Sequence, residues 1–270
     1  MVRTGAVTRV EQLTPHMVRI AVGGDALAGL RAGEFTDHYI KVQFPRPGVR
    51  YPEPFDLGVI RETLPRADWP LVRTYTIRRW LPDVPEIWVD FVVHGDEGIA
   101  GPWAARVEPG APFTFAGPGG GYAPDPAADW HLLAGDESAL PAIAAALEAM
   151  PAGARVAALI EVSDELEIQK METSADVTWL VRDGRPVGSA LVPAVRAMDF
   201  PAGRVQGFVH GEATFVRELR RHLRMDRGVA LDRLSISGYW RLGLNEDGWQ
   251  SSKRDWNREI EAEQGGSSPG

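Results

Sequence analysis

Arg73-Thr74-Tyr75-Thr76-Ile77-Arg78 is the stretch on which the reading of this chain turns. On an extended strand Arg73 and Tyr75 project to one side. The guanidinium suits a bidentate contact with a pyrophosphate, and the phenol ring suits packing on a flat ring. Thr76 offers a hydroxyl or a backbone group to that ring's edge. Such a set matches a ligand with a phosphate at one end and a redox-active ring at the other, as in a flavin. Ordinary cross-strand polar pairs would use the same residue types, so the flanking chain has to decide.

On both sides of this stretch the chain reads as short strands, at 6–10, 17–22, 38–44, 72–79 and 86–94, with a proline-rich excursion at 45–70. In 86–94, Ile87, Val89, Phe91 and Val93 share one face, while Trp88, Asp90, Val92 and His94 take the other. Short strands without intervening helices predict a small antiparallel barrel. A short helix at 98–107 and a closing strand at 113–115 follow, then a Gly-rich flexible hinge or ligand-facing loop at 116–124. The domain boundary is expected there, with a barrel over 1–124 and a second domain over 125–270.

Beyond the hinge the pattern alternates, which predicts a parallel α/β sheet. Strands are expected at 130–134, 156–162, 177–181, 204–210 and 233–237. Helices are expected at 138–150, 189–198, 214–224 and 247–264. Residues 164–174 read as irregular and 265–270 as an unstructured tail.

The bulk numbers bound the function. The chain has 270 residues, 44% hydrophobic and 24% charged, enough for two modest domains. A net charge of −8 weighs against a nucleic-acid partner. The absence of cysteine removes disulfides, thiolate metal sites and cysteine nucleophiles. The six histidines show no metal-ligand spacing, and no GxSxG elbow is present. Neither a signal peptide nor an apolar run of about 18 residues is found. The expectation is a soluble, cytoplasmic monomer with no resident metal and no membrane insertion.

Four further stretches bear chemistry. Residues 94–104, HGDEGIAGPWA, end a strand in a Gly-rich turn and open a helix, presenting N–H groups to an anion. His94 stands at the turn, and satisfaction by backbone is its other reading. Ala134-Gly135-Asp136-Glu137-Ser138 is the first strand–turn–helix of the α/β half, where a dinucleotide would bind. It is not GxGxxG, its two acids suit a pyrophosphate poorly, and capping by Ser138 is the favoured reading. Gly211-Glu212, at another strand end, suits either a nucleotide contact or a helix first turn. Finally, Trp249, Lys253 and Trp256 share a helical face, which favours docking by the aromatic rings.

In order, RTYTIR, DFVVHGDEGIAGPWA, AGPGGGYAPD, WHLLAGDESALPAI and GYWRLG with a tryptophan-bearing final helix resemble the siderophore-interacting protein family. The resemblance spans about residues 5–262. It implies an FAD-dependent ferric-siderophore reductase, distantly related to the ferredoxin–NADP reductases. The implied fold is an antiparallel flavin-binding β-barrel followed by a parallel-sheet nucleotide-binding domain. Arg73, Tyr75 and Thr76 match its flavin motif, and His94, Gly98 and Ala100 its second flavin segment. Thr74, Asp90, Val92, Gly101 and Trp103 complete the expected FAD set. Gly135, Asp136, Glu137, Ser138, Gly211 and Glu212 form the expected NADH or NADPH set. Arg241 and Lys253 are the expected ferric-siderophore contacts; Arg182 and Arg185 are weighed for a 2′-phosphate, with surface solvation the favoured reading. Relatives often carry a small hydroxyl residue where this chain has Gly101-Pro102, so backbone N–H groups and Arg73 are left to hold the diphosphate. The expected relay runs from NAD(P)H to flavin to Fe(III)–siderophore across a domain cleft, with no residue acting as acid, base or nucleophile. The alternatives are a flavin reductase serving a protein acceptor and a non-enzymatic ferric-siderophore binder.

Overall fold

The computed structural model describes residues 2–81, 83–93, 95, 98–244 and 246–264. The expectations for His94 and for the 265–270 tail therefore lie outside the described residues. The chain forms two compact units, Met1–Gly121 and Tyr122–Gly270.

In the first unit, β1 (Val2–Thr14), β2 (Met17–Gly23), β3 (Tyr39–Phe44), β4 (Leu71–Leu81), β5 (Glu86–Val92) and β6 (Pro112–Gly119) close an antiparallel barrel in the order β1-β2-β5-β4-β3-β6. Alternation along each strand sends one set of side chains inward. Ile20, Ile40, Val89, Phe91 and Phe115 are all fully buried there. A short helix, α2 (Ala100–Ala104), brings Trp103 onto this core. Its ring lies 5.5 Å from Phe44, 5.6 Å from Phe91 and 5.7 Å from Phe113. The excursion at 45–70 contains its own helix, α1 (Leu57–Thr63), capped by Asp56, which accepts from the Gly58 and Val59 amides.

The expected hinge is partly strand. Ala116 pairs with Val2, and Gly119 pairs with Tyr39. Glycine is required there for contact rather than flexibility. A Cβ at Gly119 would fall 2.5 Å from the Tyr39 ring, and one at Gly120 would fall 2.8 Å from Phe35.

In the second unit, β7 (Trp130–Gly135), β8 (Val156–Val162), β9 (Val177–Val181), β10 (Val205–Glu212) and β11 (Leu234–Trp240) form a parallel sheet ordered β11-β10-β7-β8-β9. The sheet buries both faces, as parallel sheets do. Leu133 and Phe208 pack with α3 (Leu140–Glu148). Leu132 and Val209 pack with α4 (Leu191–Ala197), α5 (Ala213–Arg221) and α6 (Glu246–Gln264). Element ends differ from the sequence expectation. α3 begins at Leu140 rather than 138, α5 passes at His222 into one π turn, and β11 continues to Trp240.

The last helix docks as its aromatic face predicts. Trp249 and Trp256 are buried against each other, with ring centroids 5.3 Å apart, and Ile260 is buried one turn on. Arg220 on α5 donates to the Gln264 side chain at 2.9 Å, near the end of α6, and Arg217 pairs with Glu263. Replacing Trp256 with alanine should therefore cost about 3 kcal/mol of stability. Urea unfolding followed by circular dichroism would read this as a lower midpoint with an unchanged slope.

Candidate functional site

In the barrel the expected flavin residues gather on β4, β5 and α2. Arg73, Tyr75 and Thr76 stand opposite Val42, Ile40 and Tyr39 on β3. Val42 and Ile40 point into the core, so the register gives Arg73 and Tyr75 the inward-facing side of β4. Tyr75 lies 4.1 Å from Phe91, tilted by 37°. Arg73 donates to its neighbour Val72 at 2.7 Å. Thr76 is buried on the opposite face, and Thr74 is exposed there.

The β4–β5 ladder runs from Leu81–Glu86 to Ile77–Val89 and, among the described residues, goes no further. The edge of β4 that carries Arg73 to Thr76 is therefore not taken up by β5. Next in the chain, Gly98 leads into α2. Pro102 has no N–H, and the Trp103 amide already bonds to Ile99, so Ala100 and Gly101 carry the first helical N–H groups. Gly98, Ile99, Pro102, Trp103 and Arg106 line an open groove of about 590 Å³.

Two expected flavin contacts are already engaged within the barrel. The Asp90 carboxylate is buried and takes Arg19 bidentately, at 2.7 and 2.8 Å. Trp103 spends much of its ring on the core described above. Val92 pairs with Met17 across β2.

In the α/β unit the expected nucleotide residues do come together, but around one another. Asp136 is fully buried. One of its oxygens accepts from the Ser138 amide and hydroxyl at 3.0 and 2.6 Å. The other accepts from the Glu212 amide at 2.9 Å and from the Trp240 indole at 2.8 Å. Glu212 caps α5 through Thr214 and Phe215 and accepts from the Leu242 amide at 3.2 Å. Glu137 forms an ion pair with Arg182 at 2.7 Å. Gly211 sits at φ 140°, where a Cβ would lie 2.5 Å from Phe215 and 2.7 Å from Asp136. A Cβ on Gly135 would meet Ala139 and the His210 carbonyl, each at 2.6 Å.

These contacts correct several expectations. Ser138 is not the cap of α3; it satisfies Asp136, and Ala139 holds the cap position without a side-chain bond. Arg182, expected as a solvated surface cation, pairs with Glu137 instead, and Arg185 folds onto the carbonyls of Arg182 and Val181. His210, next to this cluster, is pushed down to about 3 by burial and then by Lys253, so it carries no charge for a phosphate.

Two family descriptions match the chain. The "Siderophore-interacting FAD-binding domain" covers residues 6–122, and "Siderophore-interacting protein" covers residues 128–243. The chain belongs to the siderophore-interacting protein family. It is 32% identical over 260 residues to the ferric vibriobactin reductase ViuB of Vibrio cholerae, covering 91% of each chain. It is 30% identical to the NADPH-dependent ferric-chelate reductase of Escherichia coli, covering 87% of this chain and 91% of that one. A siderophore utilization protein from T. fusca superposes with a TM-score of 0.78 at 37% identity, over 91% of this chain and 94% of that one. The two-part architecture is ferredoxin reductase-like.

This siderophore-interacting family member also uses residues that the motif reading passed over. Glu161 on β8 is fully buried and accepts from the amides of Gly188, Ala190 and Leu191 at 2.7, 3.0 and 2.8 Å. A lone acid within the apolar run Ala158-Leu159-Ile160-Glu161-Val162 was the available signal, because buried carboxylates are kept only with partners. Trp240 was legible only as part of GYWRLG, and its indole bond to Asp136 spans 104 residues. Of the expected siderophore contacts, Arg241 is exposed, while Lys253 is half-buried with its ammonium 5.8 Å from the Trp249 ring centroid.

Burial, reinforced by Glu137, raises Asp136 from 3.8 to about 6, against the opposing pull of its donors. A raised folded-state value means that the native protein holds the proton longer. The associated stability is present below pH 3.8 and is lost as the pH climbs through 6. Asparagine would turn its own N–H group toward the Glu212 amide or the Trp240 indole, and should cost about 2 kcal/mol. Because Asp136→Asn does not titrate, the stability gap between wild type and variant should narrow by roughly 2 kcal/mol from pH 4 to pH 6. Denaturant titrations of both proteins across that range would measure it.

Proposed function

We propose that this protein is an FAD-dependent reductase that passes electrons from NADH or NADPH to an Fe(III)–siderophore and releases Fe(II). The observation that carries the reading is the run Arg73–Thr76, which pairs with β3 on one side and lies past the last β5 pair at Ile77–Val89 on the other, followed in the chain by the helix start at Ala100 and Gly101. Family membership and the ferric reductases among its relatives support it.

The donor set of the barrel fits FAD. A diphosphate needs a guanidinium and clustered backbone N–H groups, and Arg73 with Ala100 and Gly101 supply both types. Tyr75, held by Phe91, offers a fixed ring face for an isoalloxazine, and Thr76 offers a polar group for its edge. Arg106 adds a second cation along the groove. When bound, FAD supplies the ability to take up two electrons together and release them singly, which an iron(III) acceptor requires. The residues of the chain bind and orient. None is needed to move a proton.

The donor set of the α/β unit does not fit a nucleotide pyrophosphate at the expected residues, because the carboxyl groups of Asp136, Glu137 and Glu212 fill that turn and take its N–H groups. No step is assigned to them. For the iron chelate, Arg241 and Lys253 remain the proposed contacts, as cations suited to an anionic ligand. Iron leaves after reduction because Fe(II), with less charge, is held less firmly by hard oxygen donors.

Purified protein should be yellow or take up added FAD. Its flavin bands should bleach anaerobically with a reduced nicotinamide and return on adding a ferric siderophore. A colourless protein that binds no FAD would sink the proposal. Arg73→Ala should weaken FAD binding by about tenfold to a hundredfold in a fluorescence titration. Lys253→Ala should raise the ferric chelate concentration at half-maximal rate several-fold, with FAD affinity unchanged; an unaltered chelate dependence would remove Lys253 from the site.

A further inference from the structure

At the C-terminal edge of a parallel sheet, the N-termini of the following helices ordinarily receive a nucleotide's phosphates, because their first N–H groups lack intrahelical partners. In this protein those groups are already taken. Asp136 accepts from the Ser138 and Glu212 amides. Glu161 accepts from Gly188, Ala190 and Leu191 at the start of α4. Glu212 accepts from Thr214 and Phe215 at the start of α5, and from Leu242 after β11. Three buried carboxylates thus bind eight backbone N–H groups along one sheet edge.

Steric observations agree. Gly211, which might have let a phosphate approach the backbone, instead gives room to Phe215 and Asp136. Charge agrees as well. Four acids, Asp136, Glu137, Glu161 and Glu212, lie buried here, and Arg182 is the cation among them, 2.7 Å from Glu137 and 4.0 Å from Glu161. Burial and then the neighbouring Glu137 push the Asp136 carboxyl upward. A pyrophosphate would have to displace carboxylates that are covalently part of the chain, and would meet the remaining ones as like charges.

We infer that the carboxylates of Asp136, Glu161 and Glu212 stand in for the phosphates of a dinucleotide and close this sheet edge to them, so that the adenosine diphosphate half of NADH or NADPH contributes no affinity. This deepens the reductase reading and rests on it only for the identity of the donor. The nicotinamide half is then the whole recognition element, and the donor is selected by its redox-active ring rather than by its adenylate or 2′-phosphate.

Two measurements test this. In the first, ADP-ribose and 2′-phospho-ADP-ribose are titrated into the purified protein by calorimetry or equilibrium dialysis. No saturable binding is expected up to about 1 mM, and a dissociation constant near 10 μM for either would overturn the inference. In the second, FAD-loaded protein is reduced anaerobically by NADH, NADPH or reduced nicotinamide mononucleotide. The three second-order rate constants are expected to agree within about threefold, and a preference of about a hundredfold for either dinucleotide would overturn the inference, since that is the contribution of an anchored phosphate pair. The ligand titration needs no flavin, so it decides the matter even if the protein takes up no FAD and the reductase reading fails.

Discussion

The Asp136 carboxylate is the constraint on which the α/β unit depends. It follows β7 directly and joins the ends of three neighbouring strands, through the Glu212 amide at the end of β10 and the Trp240 indole at the end of β11. A fully buried carboxylate is tolerated only when its oxygens are satisfied, and four donors satisfy this one. Its close approach dictates glycine at 211, and Glu212 beside it then caps α5 and holds the chain leaving β11. The helix that follows, α6, is in turn fastened to α5 by two tryptophans and Arg220.

The barrel presents the opposite chemistry. Its paired positions are satisfied by neighbours, as in the Arg19–Asp90 bridge, while among the described residues the β4–β5 ladder stops at Ile77–Val89 and Arg73–Thr76 pair with β3. Trp103 packs onto Phe44, Phe91 and Phe113 and so fixes α2 against the barrel core. A helix start fixed by packing costs little to organise when an anion arrives, which is the physical meaning of preorganisation.

Much of this was legible in the chain. Alternation of apolar residues located the barrel strands, and the change of period beyond residue 125 located the parallel sheet, because burial on one face or on two leaves different sequence patterns. The docking of α6 followed from Trp249 and Trp256 sharing a face. The expected hinge at 116–119 was misread because glycine marks both flexibility and close approach, and only the position of the Tyr39 ring separates the two.

The sequence by itself determined the two-part architecture and the family, since these rest on local periodicity and on motifs in serial order. Tertiary structure alone decided the fate of Asp136, Glu137 and Glu212. In one dimension they are acids beside turns, equally suited to face a ligand or the chain itself. Their partners, Trp240, Arg182 and Leu242, lie 30 to 104 residues away, and nothing local announces a bond of that length. Whether a carboxylate at a strand end admits a phosphate or replaces it depends on where those distant donors arrive.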